Sequence, residues 1–160
     1  MDEQLKSRAA LLWQEGYQAH MEGDYERAVE LYTRSIAISP TAEAYTFRGW
    51  AYSHMDRTDD AIAECHKAIA LDPDFGNPYN DIGAYLMAKG QLDEAAEWFE
   101  KAKRAPRYQP RHFPFMNLGR LYAAKGMVRR AIGEFEGALQ IEPDDRFCRQ
   151  ALAQLHGMLN

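Results

Sequence analysis

Five histidines and two cysteines are the residues of this chain best suited to metal or nucleophilic chemistry, and their spacing serves neither. His20, His54, His66, His112 and His156 form no HExxH pair, and with Cys65 and Cys148 they give no zinc-ligand spacing. Cys65 and His66 are neighbours in the chain, so on a helix they point to different sides. The glycines recur at long intervals instead of clustering in a phosphate-binding loop. Catalysis, a metal and a cofactor are therefore not expected. What remains is the chemistry of contact, carried by aromatic rings, amides and an uneven distribution of charge.

Charge and composition narrow the partners. Residues 1–100 hold 8 Lys/Arg against 19 Asp/Glu, and residues 101–133 hold 9 Lys/Arg and no acid, so the net charge of −5 conceals one positive block from Lys101 to Arg130. An acidic chain with its positive charge confined to one quarter is not expected to bind nucleic acid or an anionic membrane. The block reads either as a solvated face paired with acidic helices or as a surface that steers acidic partners. The start, MDEQLKSRAALLWQEGYQAH, lacks a basic segment followed by an apolar core, and no run is long enough to span a bilayer. Two distant cysteines make no disulfide framework and read as reduced thiols of a cytoplasmic protein.

The elements that position these residues repeat. Ala28, Ala61, Ala95 and Ala131 are spaced 33, 34 and 36 apart, and a glycine stands twelve residues before each: Gly16, Gly49, Gly83 and Gly119. Four residues after each alanine comes Tyr32, Cys65, Phe99 or Phe135. Three further on comes Ser35, Ala68, Ala102 or Ala138, and each copy ends at or near a proline. Glycine inside a helix costs roughly 1 kcal/mol against alanine, so four in register need a reason, and close approach of a second helix supplies one. Each copy reads as a helical hairpin. The first helices are expected at about 3–21, 42–54, 77–89 and 113–125, the second at about 24–38, 58–71, 91–103 and 128–141. Asp24 and Thr58 are expected N-caps, Pro78 and Pro114 fall in first helical turns, and Pro40, Pro73 and Pro143 close second helices. Phe147, Ala151, Leu155 and Leu159 define one face of a last helix over 145–158, which caps the array.

The period, the glycine–alanine offset and the closing proline resemble the tetratricopeptide repeat family. Ser35 and Cys65 depart from the family's pattern, and the linker RAPRYQPRHFP is expected to bulge. The resemblance implies an all-α, right-handed superhelix of helical hairpins. It is read as a single domain over 1–160, with repeats at about 9–41, 42–75, 76–111 and 112–144. It also implies that first helices line a concave face. Positions counted from the glycines then give groove candidates: Trp13, Tyr17 and His20, then Trp50 and His54, then Asn77, Asn80 and Met87, then Phe113, Met116 and Arg120. Trp13 and Trp50 have a second reading, as wedges between successive first helices.

Some members of that family grip a peptide's terminal carboxylate. They use a Lys and an Asn four residues apart in one first helix, an Asn in the next repeat and a Lys/Arg pair in the one after. The matching positions here are Trp13 and Tyr17, then Phe47 and Asp81. One repeat later they are Thr46, Trp50 and Asp81. The resemblance therefore implies no such clamp. The expected function is a non-enzymatic adaptor that takes a protein or peptide segment in the concave groove, with an acidic group of the ligand near the 101–130 block. The alternatives are self-assembly into a homo-oligomer and service as an accessory subunit of a larger assembly machine.

Overall fold

The structure, a computed structural model, describes residues 2–160. Among these residues nine α-helices follow one another: α1 (Glu3–Met21), α2 (Tyr25–Ile38), α3 (Ala42–His54), α4 (Thr58–Leu71), α5 (Asn77–Ala88), α6 (Leu92–Arg104), α7 (Phe113–Ala124), α8 (Val128–Ile141) and α9 (Arg146–Leu159). Helices pair as α1–α2, α3–α4, α5–α6 and α7–α8. Each second helix then packs on the first helix of the next pair, and α9 packs on α8. The result is an all-α solenoid of helical hairpins.

The hairpins are closed by one recurring contact. A Cβ added at Gly16 would lie 2.8 Å from the Tyr32 ring, at Gly83 2.5 Å from Phe99, and at Gly119 2.7 Å from Phe135. In each case the ring stands sixteen residues after the glycine and is sealed from solvent. In the second hairpin that position is Cys65, a smaller side chain, and the backbone itself closes in. A Cβ at Gly49 would sit 3.0 Å from the carbonyl oxygen of Ala61. Ala28, Ala61, Ala95 and Ala131 are fully buried at the same crossings. The tight turns between the two helices use left-handed backbone at Gly23, Gly90 and Gly126, with Asp56 at φ 58° taking that role in the second hairpin.

Helix ends follow the sequence with one correction. Asp24 caps α2 by accepting from the Arg27 N–H at 3.1 Å, and Pro78 and Pro114 lie in the first turns of α5 and α7. Thr58 is not an N-cap. It is the first helical residue of α4, and Arg57 holds the cap position without a side-chain cap bond. Arg57 instead binds Asp60 at 2.8 Å and lies over the Tyr52 ring. Asp59 and Asp60 supply the negative charge that favours the first turn.

The face of α9 also differs from the expected stripe. Cys148 and Leu155 are buried, whereas Phe147 and Leu159 are 46% and 48% exposed. The helix is turned so that the residue after Phe147 meets α8. Asp145 fixes that orientation, because it accepts from the Cys148 N–H at 2.8 Å while lying 3.4 Å from His112 Nε2.

Gly133, in α8, has nothing within 4 Å of the place a Cβ would occupy. Gly133→Ala should therefore raise stability by about 0.5–1 kcal/mol through helix propensity. Gly83→Ala should lower it by about 1–3 kcal/mol through collision with Phe99. Denaturant midpoints of the two variants should move in opposite directions. A Gly83→Ala midpoint at or above the parent would remove the glycine–ring contact as the determinant of packing.

Candidate functional site

A helix advances about 100° per residue, so positions counted from the buried glycine have fixed directions. Those at −6, −2, +1 and +5 lie about 100–160° away from it, on the open side. Those at −3 and +4 lie within about 60° of it and turn toward the neighbouring repeat. The exposures follow this division. At +1 and +5, Tyr17, His54 and Arg120 are exposed and Trp50 is half-buried; at −6, Phe113 is exposed and Asn77 half-buried. At −3 and +4, His20 and Asn80 are buried, and Trp13, Met87 and Met116 are half-buried.

The open side gathers into a concave pocket of about 520 Å³. Five of the predicted residues line it: Tyr17, Trp50, Asn77, Asn80 and Phe113. Six others complete it: Thr46, Phe47, Asp81, Tyr108, Gln109 and Pro110. Phe47 and Asp81 share the −2 column, which is absent from the groove candidates and supplies two of the clamp positions. Tyr108, Gln109 and Pro110 come from the linker before α7, whose placement no helical period could give.

That linker is ordered against the turn before α5. Arg107 N donates to the Asp74 carbonyl at 3.0 Å, Gly76 N donates to the Arg107 carbonyl at 2.8 Å, and Asn77 Nδ2 donates to the Gln109 carbonyl at 3.1 Å. The Arg107 guanidinium binds Asp72, and Glu43 at 3.0 Å, and lies over the Phe75 ring. Its hydrogen bond holds the Asp72 carboxyl below the usual carboxylate range. Tyr108 packs against Gly76, where a Cβ would come within 2.7 Å of it, and closes one wall of the pocket.

The remaining predicted residues are elsewhere. Trp13 stands behind the pocket, stacked on Tyr17 at 5.8 Å and edge-on to Phe47 at 5.1 Å, and it lines a separate recess with Lys6, Gln14 and Thr41. Its wedge reading describes it better than groove exposure. His20 is only 2% exposed, sealed by Trp50 at 4.1 Å, and so is not a surface group of the groove. Its Nδ1 lies 3.4 Å from the Tyr32 hydroxyl, and its Nε2 is buried without a partner. Burial, with His54 as a lesser cause, lowers its pKa to about 4. His54 stacks on Tyr25 at 4.8 Å, at the rim. Asn80 lines the pocket, but its side-chain oxygen accepts from Asn117 Nδ2 at 3.1 Å. Met87 and Arg120 line a different recess, formed with α9.

Among the described residues Asp81 is the one charged residue lining the concave pocket, and no Lys, Arg or His lines it. Burial raises its pKa to about 7, with no cation or hydrogen bond to offset it. The positive block, by contrast, is largely engaged within the chain. Lys103 pairs with Glu134 at 2.8 Å, Lys125 with Asp93 at 2.5 Å, and Arg111 donates to the carbonyls of Lys103, Ala105 and Pro106. Among the described residues no cluster of three or more His, Cys, Asp or Glu side chains is placed to hold a metal ion. No helix there is long and apolar enough to cross a membrane.

Family models described as tetratricopeptide repeat match residues 15–43, 42–75, 79–105 and 115–149. The chain is 32% identical over 91 residues to the heat shock protein STI1 of Saccharomyces cerevisiae, covering 56% of this chain and 15% of that protein. It spans less than a third of the curated relatives it matches. Among solved structures, pilF of Pseudomonas aeruginosa superposes with a TM-score of 0.88 at 21% identity, over 96% of this chain and 69% of that one, a likeness of fold. The second TPR of Spaghetti (RPAP3), bound to the HSP90 peptide SRMEEVD, superposes with a TM-score of 0.59 at 32% identity, over 64% of this chain and 95% of that one.

His20 and Asp81 pull the pH dependence of stability in opposite directions. Between pH 4 and 6.5 the unfolded chain binds a proton at His20 that the folded chain does not, so this residue makes stability fall with acidification. Between pH 3.8 and 7 the folded chain binds a proton at Asp81 that the unfolded chain does not, so this residue makes stability rise with acidification. Against wild type, Asp81→Asn should lose about 2 kcal/mol more on going from pH 7 to pH 5, and His20→Phe about 2 kcal/mol less. Chemical denaturation at the two pH values measures both. Parallel profiles for all three proteins would show that neither group is held as described.

Proposed function

The chain belongs to the tetratricopeptide repeat family, and on that premise we propose that it is a non-enzymatic adaptor that seats a segment of another protein in its concave pocket. The carrying observation is the pocket itself: about 520 Å³, open to solvent, with aromatic rings at Tyr17, Phe47, Trp50 and Phe113 beside the amides of Asn77 and Asn80. Rings supply apolar contact area, and amides satisfy a bound backbone, the usual composition of an interaction hot spot. Catalysis has no support in the groupings of ionisable side chains. Two buried free cysteines fit a reducing compartment such as the cytoplasm.

The relative bound to SRMEEVD supports a peptide as ligand but not that peptide. The positions that would grip its terminal carboxylate are here Trp13, Tyr17, Phe47 and Asp81, without a cation among them. An acidic group on the ligand belongs instead near Arg120, which is exposed and bonded only to Asn117.

A second reading, self-assembly, has its own observation. Phe147, Met158 and Leu159 on α9 are 46%, 68% and 48% exposed, an apolar edge at the end of the stack. Light scattering across a concentration series separates it from the first reading, because only self-assembly raises the mass with concentration.

Two binding outcomes are expected. SRMEEVD should bind no tighter than about 1 mM. Peptides selected by the full chain from a random 12-residue library should lose at least about tenfold in affinity for Tyr17→Ala/Phe113→Ala. Those two rings are 39% and 37% exposed, so the helical far-UV signal should not change. Micromolar binding of SRMEEVD, or full affinity in the double variant, would place the binding surface elsewhere.

A further inference from the structure

We propose that the concave pocket recognises a lysine or arginine side chain of the bound segment, and that Asp81 is the residue that receives its positive charge. The inference rests on the adaptor reading and adds the chemistry of the ligand.

Asp81 stands in the central column of the groove, on α5, and opens into the pocket. The groups that interact with it from the surrounding elements are the Cys65 thiol of α4, the Tyr85 phenol of its own helix and the Tyr108 phenol of the linker. Burial holds all three in their neutral forms, so none compensates a carboxylate. From α1, α3 and α7 the pocket receives Tyr17, Thr46, Phe47, Trp50 and Phe113, again without a cation. Glu64, the other acid that acts on the Cys65 thiol, is paired with Arg48 and Lys67. Asp81 is half-buried, and an acid left alone in such a setting is unfavourable unless something pairs with it. The free chain meets this condition by holding Asp81 protonated over part of the neutral range.

A basic side chain entering the pocket changes that balance. It pairs with the carboxylate in a charge-assisted hydrogen bond and lays its charge and methylenes against the rings of Tyr17, Phe47 and Trp50. A ligand carboxylate would meet the opposite: repulsion, or a forced protonation. Because the cation favours the ionised acid, binding expels the proton of Asp81 and strengthens as pH rises through about 7. The imidazoles are outside this pocket. His20 is sealed behind Trp50 and His54 stands at the rim, so whatever they contribute persists when Asp81 is replaced.

The test uses the full chain and a random library of 12-residue peptides, N-acetylated and C-amidated. Peptides retained at pH 7.5 should carry a lysine or arginine, and replacing it by norleucine or citrulline should weaken binding roughly tenfold. Their affinity should rise between pH 6 and pH 8 for wild type, and most of that rise should disappear in Asp81→Asn. Carbon-detected NMR of the Asp81 carboxyl in wild type should show its titration moving to lower pH when peptide is bound, a readout that holds even where the variant folds poorly. Retention of peptides whose affinity ignores both the basic residue and Asp81 would overturn this proposal and leave the adaptor reading standing. Retention from a second, unacetylated library only, through the free peptide N-terminus instead of a basic side chain, would also overturn it. Failure of wild type to retain any peptide from either library would overturn both.

Discussion

The contact between a glycine on each first helix and the residue sixteen positions later fixes the rest of the molecule. Removing a side chain at Gly16, Gly83 and Gly119 lets a buried ring of the second helix lie on the backbone of the first. In the second hairpin Cys65 replaces the ring, and the two backbones approach more directly at Ala61. The same arrangement therefore tolerates two ways of filling one volume. Its consequence reaches beyond stability: because the glycine side of each first helix is committed to the hairpin, the opposite side of that helix is the one left open.

That commitment explains which parts of the groove were legible in the sequence. The helices and their order could be read from the period, and the buried alanines and the first-turn prolines from fixed offsets. Tyr17, Trp50, Asn77 and Phe113 were found because the +1 and −6 columns point away from the glycine. His20 and Asn80 lie in the +4 and −3 columns, only about 40–60° from it, and the next repeat covers them. The −2 column, with Phe47 and Asp81, belongs to the open side and was the omitted one. Direction alone does not separate every case, since Thr46 and Asn80 at −3 line the pocket and Asn117 at −2 is buried. The orientation of α9 had a weaker signal, since Phe147 and Cys148 are both apolar and only the cap at Asp145 chooses between them.

The linker before α7 was legible only as an irregularity. Its bulge follows from the longer spacing between the third and fourth copies, but its direction depends on tertiary partners. Arg107 reaches Glu43 and Asp72, in a different hairpin from the linker's own, and Gly76 leaves room for Tyr108. These are contacts between segments far apart in sequence, and nothing in the local pattern announces them. The extra residues that break the period are the ones that become a wall of the pocket.

Charge placement follows from the same geometry. The positive block sits largely on second helices and on the linker, where acids of neighbouring repeats consume much of it: Glu134 beside Lys103, Asp93 beside Lys125, and Asp72 with Glu43 around Arg107. An ion pair on the outer surface contributes little to stability, about 0–1 kcal/mol. Arg107 has a further effect, because its two carboxylates anchor the linker that shapes the groove. It also neutralises two acids, while Asp81, the one charged residue lining the pocket among the described residues, has no cation beside it. The basic linker thus shapes the pocket through its ordered backbone and Tyr108, and adds no positive charge to the lining. A net charge taken over the chain, or over any window of it, does not reveal this.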